Sequence, residues 1–179
     1  GVFLSGGIDS SSIVAYLSQL LPPDQIKTFS IGFEDKSFDE SNYARRVANH
    51  FGTDHHEQIL SPDKMLEILP EVGDFLDEPL GDASIIPTYL LAKFTRQYVT
   101  VALGGDGGDD LFAGYPTFQA HQLSRLYAMI PHFVQEKLIA PFISCLPVSI
   151  ANISFDFKAR QFLKGIPYEP LIRQQVWLG

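Results

Sequence analysis

The chain has 179 residues, 45% of them apolar, which fits one globular domain or most of one. Its formal net charge of −8 argues against a nucleic-acid-binding protein, because such proteins carry a basic patch. No run of about 20 apolar residues is present, so we expect no membrane-spanning helix. Cys145 is the only cysteine, which excludes an internal disulfide and predicts a cytoplasmic protein; we expect its thiol to be buried.

The first elements along the chain alternate between strand and helix. Residues 2–4 predict a short buried strand, and apolar residues at helical spacing then predict a helix that ends before Pro22. Residues 27–33, rich in β-branched and aromatic side chains, predict a second strand. The pattern Ser37-Phe-Asp-Glu40 predicts the start of the next helix with a capping box, and Gly52 predicts its end.

A third strand is predicted at residues 56–60, and helices at 65–69 and 85–98. Residues 99–103, V-T-V-A-L, predict the clearest strand, buried on both faces because it is almost wholly apolar. This alternation predicts an α/β fold class, a parallel twisted sheet with helices on both faces, over residues 1–114. From residue 115 the pattern changes to helices broken by prolines, so 115–179 are predicted to form a helical part of the same domain.

A glycine-containing loop follows the first strand, with the sequence Ser5-Gly6-Gly7-Ile8-Asp9-Ser10. Glycines let the backbone approach a ligand, and the N–H groups at the start of the next helix can bind phosphate. Asp9 makes sense beside phosphate if it binds Mg²⁺. No Gly-Lys pair occurs in the chain, so the phosphate-binding lysine of Walker A proteins is missing. The alternative interpretation is an ordinary glycine-rich turn.

A second loop, Gly104-Gly105-Asp106-Gly107-Gly108-Asp109-Asp110, comes directly after the apolar run at 99–103. Ligand crevices of open α/β sheets lie at the carboxyl ends of the strands, so we expect the two loops to meet there. Each loop would then supply a carboxylate for magnesium. The alternatives are a solvated acidic turn and a calcium loop, although the spacing of the helix-loop-helix calcium motif is absent.

Together these motifs resemble the N-type ATP pyrophosphatases, and in particular the asparagine synthetase family. S-G-G-I-D-S resembles their pyrophosphate-binding loop. Three further motifs resemble the asparagine synthetase branch, namely G-G-D-G-G-D-D-L-F-A-G-Y, D-E-P-L-G-D-A-S-I-I-P-T-Y, and F-S-I-G-F followed by F-D-E-S-x-Y-A. The resemblance extends over nearly the whole chain, from Val2 to about Leu178.

The resemblance implies a binding site for ATP and Mg²⁺. It assigns the binding of the pyrophosphate of ATP to Ser5, Gly6, Gly7, Asp9 and Ser10. Leu4 and Ile31 would contact the adenine, and Gly104 and Gly105 would lie near the α-phosphate. Asp9 and Asp109 would bind magnesium. Asp106 would be catalytic, and it stands where the family usually has a longer glutamate that handles substrate and protons.

The implied reaction is the ATP-dependent formation of an amide. A carboxylate, expected to be aspartate, attacks the α-phosphorus to give an acyl-adenylate and pyrophosphate, and ammonia then releases asparagine and AMP. The alternatives are amidation or lactam closure of another carboxylate, and a nucleotide-binding module without turnover. The implied partners are small molecules, including ammonia from a glutaminase domain, with no nucleic acid or membrane; a homodimer is allowed.

Two features lead us to expect a segment of a longer enzyme. The chain begins at Gly1 without a charged leader or the catalytic cysteine that opens the family's glutaminase domain. Lys158 and Lys164 lie in a stretch that does not match the family's charge-stabilising lysine motif. We therefore expect the chain alone to be inactive and the longer protein to be a glutamine-dependent synthetase.

Overall fold

The computed structural model describes residues 1–78, 81–82, 84–149 and 154–178. The motif residues Pro79, Leu80 and Ala83 lie outside this part of the chain. Contacts divide the chain into two compact units, Gly1–Gly108 and Asp109–Gly179. The predicted division at 114 and 115 stays a prediction about the parts of one domain.

A three-stranded parallel sheet forms the centre of the first unit. Its strands are β1 (Val2–Phe3), β2 (Lys27–Phe33) and β3 (Asp54–Leu60), in the order β1-β2-β3. The predicted strands at 2–4, 27–33 and 56–60 are therefore present. Phe3 is in register with Phe29, and Phe29 with His56, so these three side chains share one face of the sheet.

The predicted strand at 99–103 is largely wrong, because within the described residues it reduces to a single bridge between Leu103 and Val2. The N–H of Phe3 donates to the carbonyl of Leu103, and the N–H of Leu103 to that of Gly1, both at 2.9 Å. Val101 is 69% exposed and Leu103 47% exposed, so the segment is not buried on both faces. It pairs with β1 on one side alone, and an apolar run does not distinguish an edge segment from a central strand.

Helices cover both faces of the sheet, as the α/β prediction required. They are α1 (Ile8–Leu17), α2 (Ser41–Phe51), α3 (Pro62–Phe75) and α4 (Ile85–Thr95), with a 3₁₀ turn at Pro23–Gln25. On the face of α1 and α2, Val2 and Leu4 pack with Val14, Ala44 and Ala48 in the buried core. On the opposite face, the ring of Phe29 contacts Phe94 of α4 and Tyr98.

The start of α2 differs from the prediction. The helix begins at Ser41 rather than Ser37, because the carboxylate of Asp39 accepts hydrogen bonds from the N–H groups of Phe33 (3.3 Å) and Ser41 (3.1 Å). These bonds hold the preceding residues in a turn, and a side chain that binds nearby backbone groups competes with helix formation. The predicted end of the helix is correct, since Gly52 has the left-handed φ of 66°.

The described part of the second unit is helical. After α5 (Gly108–Phe112), which spans the boundary, it contains α6 (Pro116–Tyr127), α7 (His132–Val134), a π turn at Gln135–Ile139, α8 (Ala140–Ser144), α9 (Phe155–Gly165) and α10 (Pro170–Leu178). Trp177 is 8% exposed; its ring stacks on Phe162 and its Nε1–H donates to the Phe162 carbonyl at 3.2 Å.

Two further observations concern the whole of the described chain. Cys145 is exposed, so the expectation of a buried thiol is wrong; it lies just after the short α8, where the chain turns. None of the described helices is both long and apolar enough to cross a membrane.

Candidate functional site

A cleft of about 390 Å³ lies at the carboxyl ends of β1 and β2 in the first unit. Its walls come from the loop after β1, the loop at 104–106 and the first turns of α2 and α4. Nine of the eleven predicted site residues line it, namely Leu4, Ser5, Gly7, Asp9, Ser10, Ile31, Gly104, Gly105 and Asp106. Gly6 does not line the cleft but supports its wall, and Asp109 belongs to the second unit.

The loop after β1 is held in shape by its own serines. The hydroxyls of Ser5 and Ser10 lie 3.1 Å apart, and the backbone N–H of Gly7 donates to the Ser5 hydroxyl at 3.2 Å. The Ser10 hydroxyl also lies 3.3 Å from the N–H of Ser5 and donates to the carbonyl of Gly7. Ser10 is buried, so these bonds are protected from competing water.

Several backbone N–H groups at the start of α1 are available to a ligand. The first four N–H groups of a helix have no carbonyl partner within the helix. Here Gly7 uses its N–H on Ser5, whereas those of Ile8, Asp9 and Ser10 have no partner in the part of the chain that the structure describes. The positive end of the helix dipole lies at the same place, so the loop favours an anion.

Gly6 is required by close packing as well as by its backbone conformation. Its φ is +85°, a region that residues with a side chain rarely adopt. A Cβ atom at Gly6 would lie 2.5 Å from the Cβ of Tyr43 and 2.7 Å from the N of Ala44. The loop therefore rests directly on the first turns of α2, which fixes its position relative to the sheet.

The loop after Leu103 packs against the start of α1, so the two glycine-rich loops meet. A Cβ on Gly105 would lie 3.0 Å from the N of Ser10, and one on Gly108 would lie 2.5 Å from the Cβ of Asp9. The N–H of Gly108 donates to the carbonyl of Gly105 at 3.1 Å, which closes a tight turn with Gly107 at φ +81°.

Asp106 occupies the corner of that turn and lines the cleft. Its Oδ2 would lie 2.5 Å from a Cβ on Gly104, so its carboxylate is folded back over the Gly104 backbone. Asp9 and Asp106 both line the same cleft.

Asp109 is described within the second unit. Its Oδ1 lies against Gly114, whose N–H donates to the Asp109 carbonyl at 3.0 Å. Among the residues described, no set of three or more His, Cys, Asp or Glu side chains is grouped around a common point where a metal could bind. That Asp9 and Asp109 share one magnesium ion stays a prediction.

Sequence reasoning missed several residues that line the cleft. They come from β2, from the turn before α2 and from α4, namely Ser30, Phe33, Phe38, Glu40, Pro87, Thr88 and Leu91. Phe38 and Glu40 follow the carboxyl end of β2, so their position after a predicted strand could have marked them. Pro87 and Thr88 lie in the motif D-E-P-L-G-D-A-S-I-I-P-T-Y, which assigned them no role, and Leu91 lies outside every motif. Only the folded chain brings α4 over the end of the sheet.

A buried polar network lies behind the cleft, on the α2 face of the sheet. His55 Nδ1 lies 2.9 Å from the Thr28 hydroxyl, and His55 Nε2 lies 3.3 Å from the Ser30 hydroxyl. Burial lowers the pKa of His55 below its usual value of 6.5, and the charges of His56 and Arg45 lower it further. The Glu57 carboxylate and a hydrogen bond to the Thr28 backbone oppose this effect and are smaller. His55 is therefore a neutral imidazole at neutral pH.

Comparison with known proteins matches the family model described as asparagine synthase to residues 1–170. The chain is 38% identical over 139 residues to asparagine synthetase [glutamine-hydrolyzing] 1 of Bacillus subtilis, which covers 78% of this chain and 22% of that protein. It is 43% identical over 117 residues to putative asparagine synthetase [glutamine-hydrolyzing] 2 of Methanocaldococcus jannaschii, covering 65% of this chain and 22% of that protein.

A relative with a different name is also similar. The chain is 33% identical over 137 residues to amidase chyE of Penicillium rubens, covering 69% of this chain and 20% of that protein. In each of these comparisons the chain spans only about a fifth of the length of the relative.

Proposed function

Because the chain belongs to the asparagine synthase family, we propose that it supplies the nucleotide-binding part of an ATP-dependent synthetase that converts a carboxylate, aspartate first among them, into its amide. One observation carries this proposal. Two glycine-rich loops meet at the carboxyl ends of parallel strands, over a cleft that nine predicted residues line. The longer relatives are named glutamine-hydrolysing, so we include a glutaminase as the source of ammonia.

The residues present suit an adenine nucleotide. The cleft volume of about 390 Å³ falls in the range of small-molecule sites. The three free N–H groups at the start of α1 and the absence of a side chain at Gly7 suit the pyrophosphate. Phe3, Phe29 and Leu91 supply apolar surface for the base, beside the backbone of Leu4 and Ile31.

The same residues suit a magnesium ion bound together with phosphate. Mg²⁺ is usually held by one or two carboxylates plus substrate phosphates, and Asp9 lines the cleft at the start of α1, beside the free N–H groups. We assign Asp9 and Asp109 as its ligands. When bound, the ion neutralises charge on the departing pyrophosphate.

The chain's own groups would then stabilise the charge that develops in the reaction. The substrate carboxylate attacks the α-phosphorus, giving an acyl-adenylate, while the N–H groups of Ile8, Asp9 and Ser10 stabilise the pyrophosphate that leaves. Fixed backbone donors suit this task because they need no rearrangement during the reaction. Asp106 lines the same cleft, and we assign to it the proton that is released when ammonia attacks the activated carbonyl.

The exchange of labelled pyrophosphate into ATP, measured on the full-length protein, tests this function. We expect exchange that depends on aspartate, and we expect Asp9→Asn to lower its rate by about 100-fold, because one electrostatic partner of the transition state is lost. Asp24→Asn is the matched control, since Asp24 lies just before β2, at the opposite end of that strand from the cleft. ATP binding without exchange for any carboxylate would instead identify a module that does not turn over.

A second candidate is amidation of a different carboxylate. Two observations favour it: Asp106 is shorter than the glutamate that the family usually has, and one relative is named an amidase. The same assay with other amino acids, sugar acids and peptide carboxylates separates the two. Exchange with one of these and not with aspartate would establish the second candidate.

A further inference from the structure

One carboxylate joins the end of β2 to the beginning of α2. Asp39 Oδ1 accepts hydrogen bonds from the N–H groups of Phe33 at 3.3 Å and Ser41 at 3.1 Å, and Asp39 Oδ2 accepts one from the Ser41 hydroxyl at 3.0 Å. Ser41 is 3% exposed, so water competes little for these bonds. A Cβ atom on Gly32 would lie 3.1 Å from Asp39 Oδ1, so the carboxylate lies directly against the backbone of β2. Asp39 therefore fixes the point at which α2 leaves the sheet.

Arg45 extends this attachment to β3. Its guanidinium donates to the Ser41 hydroxyl at 2.9 Å and to Glu57 Oε2 at 2.8 Å. The Ser41 hydroxyl thus donates to Asp39 and accepts from Arg45. Partial burial opposes the charged form of Asp39. The hydrogen bonds that its carboxylate accepts and the charge of Arg45 outweigh this effect, so the pKa of Asp39 lies below its usual value and the carboxylate is ionised at neutral pH.

The loop after β1 rests on the helical turn that Asp39 fixes. Within the first turn of α2, the N–H groups of Tyr43 and Ala44 donate to the carbonyl of Glu40 at 2.9 and 3.2 Å. A Cβ atom on Gly6 would lie 2.5 Å from the Cβ of Tyr43 and 2.7 Å from the N of Ala44. Because Gly6 and α2 are in close contact, a shift of this turn must either move the loop or open a cavity beside it.

Asp39 acts on the cleft from outside it. Its neighbours Phe38 and Glu40 line the cleft, as does Ala44, whereas Asp39 is not among the described residues that line it. We propose that Asp39 is a positioning residue for the loop after β1: it fixes the first turn of α2 against β2 and thereby sets where the free N–H groups of that loop lie. The proposal rests on the proposed function for the identity of the anion, which is the pyrophosphate of ATP.

Hydrogen–deuterium exchange of the full-length protein without nucleotide tests the hold on α2 independently of any ligand. Asp39→Ala should raise the exchange rates of the Tyr43 and Ala44 amides about tenfold, since the attachment at the start of the helix is lost. Asp35→Ala is the matched control, because Asp35 accepts a hydrogen bond from the N–H of Ser37 at 2.8 Å within the exposed turn before α2. Unchanged exchange in Asp39→Ala would overturn the proposal, whether or not the protein binds ATP.

Affinities of the full-length protein for MgATP, magnesium pyrophosphate and adenosine test the effect on the loop. The free N–H groups serve the pyrophosphate, so Asp39→Ala should weaken the binding of MgATP and of magnesium pyrophosphate about tenfold. Adenosine, measured by competition with MgATP, should keep its affinity within about twofold, because the base contacts Leu4 and Ile31 rather than α2 in the proposed function.

Two further variants separate the hydrogen bonds of Asp39 from its charge. Asp39→Asn keeps an oxygen that accepts from the backbone N–H groups and should stay within about threefold of the wild type for all three ligands, since Asn and Asp cap helices about equally well. Asp35→Ala removes a charge from the same turn without touching α2 and should stay within about twofold. Should Asp39→Ala not fold, Ser41→Ala replaces it and should weaken only the two phosphate-containing ligands, about threefold.

The outcomes distinguish positioning from a general loss of structure. Circular dichroism establishes that each variant is folded under the conditions of the titration. An equal loss for all three ligands, an equal loss for Asp35→Ala and Asp39→Ala, or full affinity of Asp39→Ala for MgATP would each overturn the proposal. If the wild type binds neither MgATP nor magnesium pyrophosphate, the proposed function fails, while the exchange experiment still decides whether Asp39 holds α2.

Discussion

The two glycine-rich loops of the site have similar compositions but are built differently. The loop after β1 is part of the core: Ser10 is buried, two hydroxyls hold the backbone, and Gly6 rests on α2. The loop after Leu103 is a turn closed by one backbone hydrogen bond, with Asp106 and Gly107 exposed.

The difference shows that glycine meets two separate physical requirements in this site, a positive φ and the absence of a Cβ atom. Gly6 needs both a positive φ and the absence of a Cβ atom, Gly108 needs only the absence of a Cβ, and Gly107 needs only the positive φ. Alanine substitutions at these positions therefore separate the contribution of backbone conformation from that of close packing.

Gly6→Ala should have the largest effect on stability. The new methyl group would overlap with Tyr43 while the backbone is held at φ +85°, so we expect a loss of about 3 kcal/mol or more in the free energy of unfolding. Denaturant unfolding of both proteins measures it. Gly7→Ala is the matched control, because its Cβ would meet only the Ser5 hydroxyl at 3.4 Å. Similar losses for the two variants would show that the first loop is not anchored as described.

Gly108→Ala should come next and should act on Asp9. A Cβ at Gly108 would lie 2.6 Å from Asp9 Oδ1, so the carboxylate must move, at a cost of about 2 kcal/mol by analogy with overpacked sites. Because Asp9 is the assigned magnesium ligand, we also expect MgATP affinity to fall at least about tenfold, as calorimetry can measure. Unchanged affinity would show that Asp9 is not a magnesium ligand.

Gly107→Ala should cost less and leave ligand binding intact. No atom lies within 4 Å of the position of its Cβ, so the only penalty is the φ of +81°, about 1 kcal/mol in the free energy of unfolding. Thermal unfolding and MgATP titration of the variant measure both properties. A loss as large as that of Gly108→Ala would mean that the second loop is as tightly packed as the first.

His55, which contacts Thr28 and Ser30 in the sheet, predicts that the free energy of unfolding depends on pH. Since the pKa of His55 is lower in the folded state than its usual 6.5, unfolding takes up a proton once the pH falls below about that value. Its contribution to stability is therefore full above pH 6.5 and is lost as the pH falls through the lower folded pKa.

Comparing the unfolding free energies of the wild type and His55→Gln between pH 5 and pH 8 isolates this effect. The other charged groups near His55, namely Glu57, Arg45 and His56, are common to both proteins. The difference in unfolding free energy between the two proteins should be constant above pH 6.5. Below pH 6.5 the wild type should lose stability relative to His55→Gln. A difference that does not change with pH would show that His55 titrates normally.

The sequence alone was sufficient for the α/β fold class and for much of the lining of the cleft. Residues 27–33 are rich in β-branched and aromatic side chains, which predicts β2, and Gly52 ends α2 as predicted, because both signals are local. The sequence predicted that Ser5, Gly7, Asp9 and Ser10 lie together, because they form one glycine-containing turn between a strand and a helix, and all four line the cleft.

Only the tertiary structure decided the features that depend on distant parts of the chain. The apolar run at 99–103 lies at an edge because β1 pairs with it on one side alone among the described residues, and the start of α2 moves to Ser41 because Asp39 reaches back to Phe33. Ser30 meets the cleft on one side and His55 on the other. Such contacts depend on which surfaces meet when the chain folds, and local spacing carries no information about that.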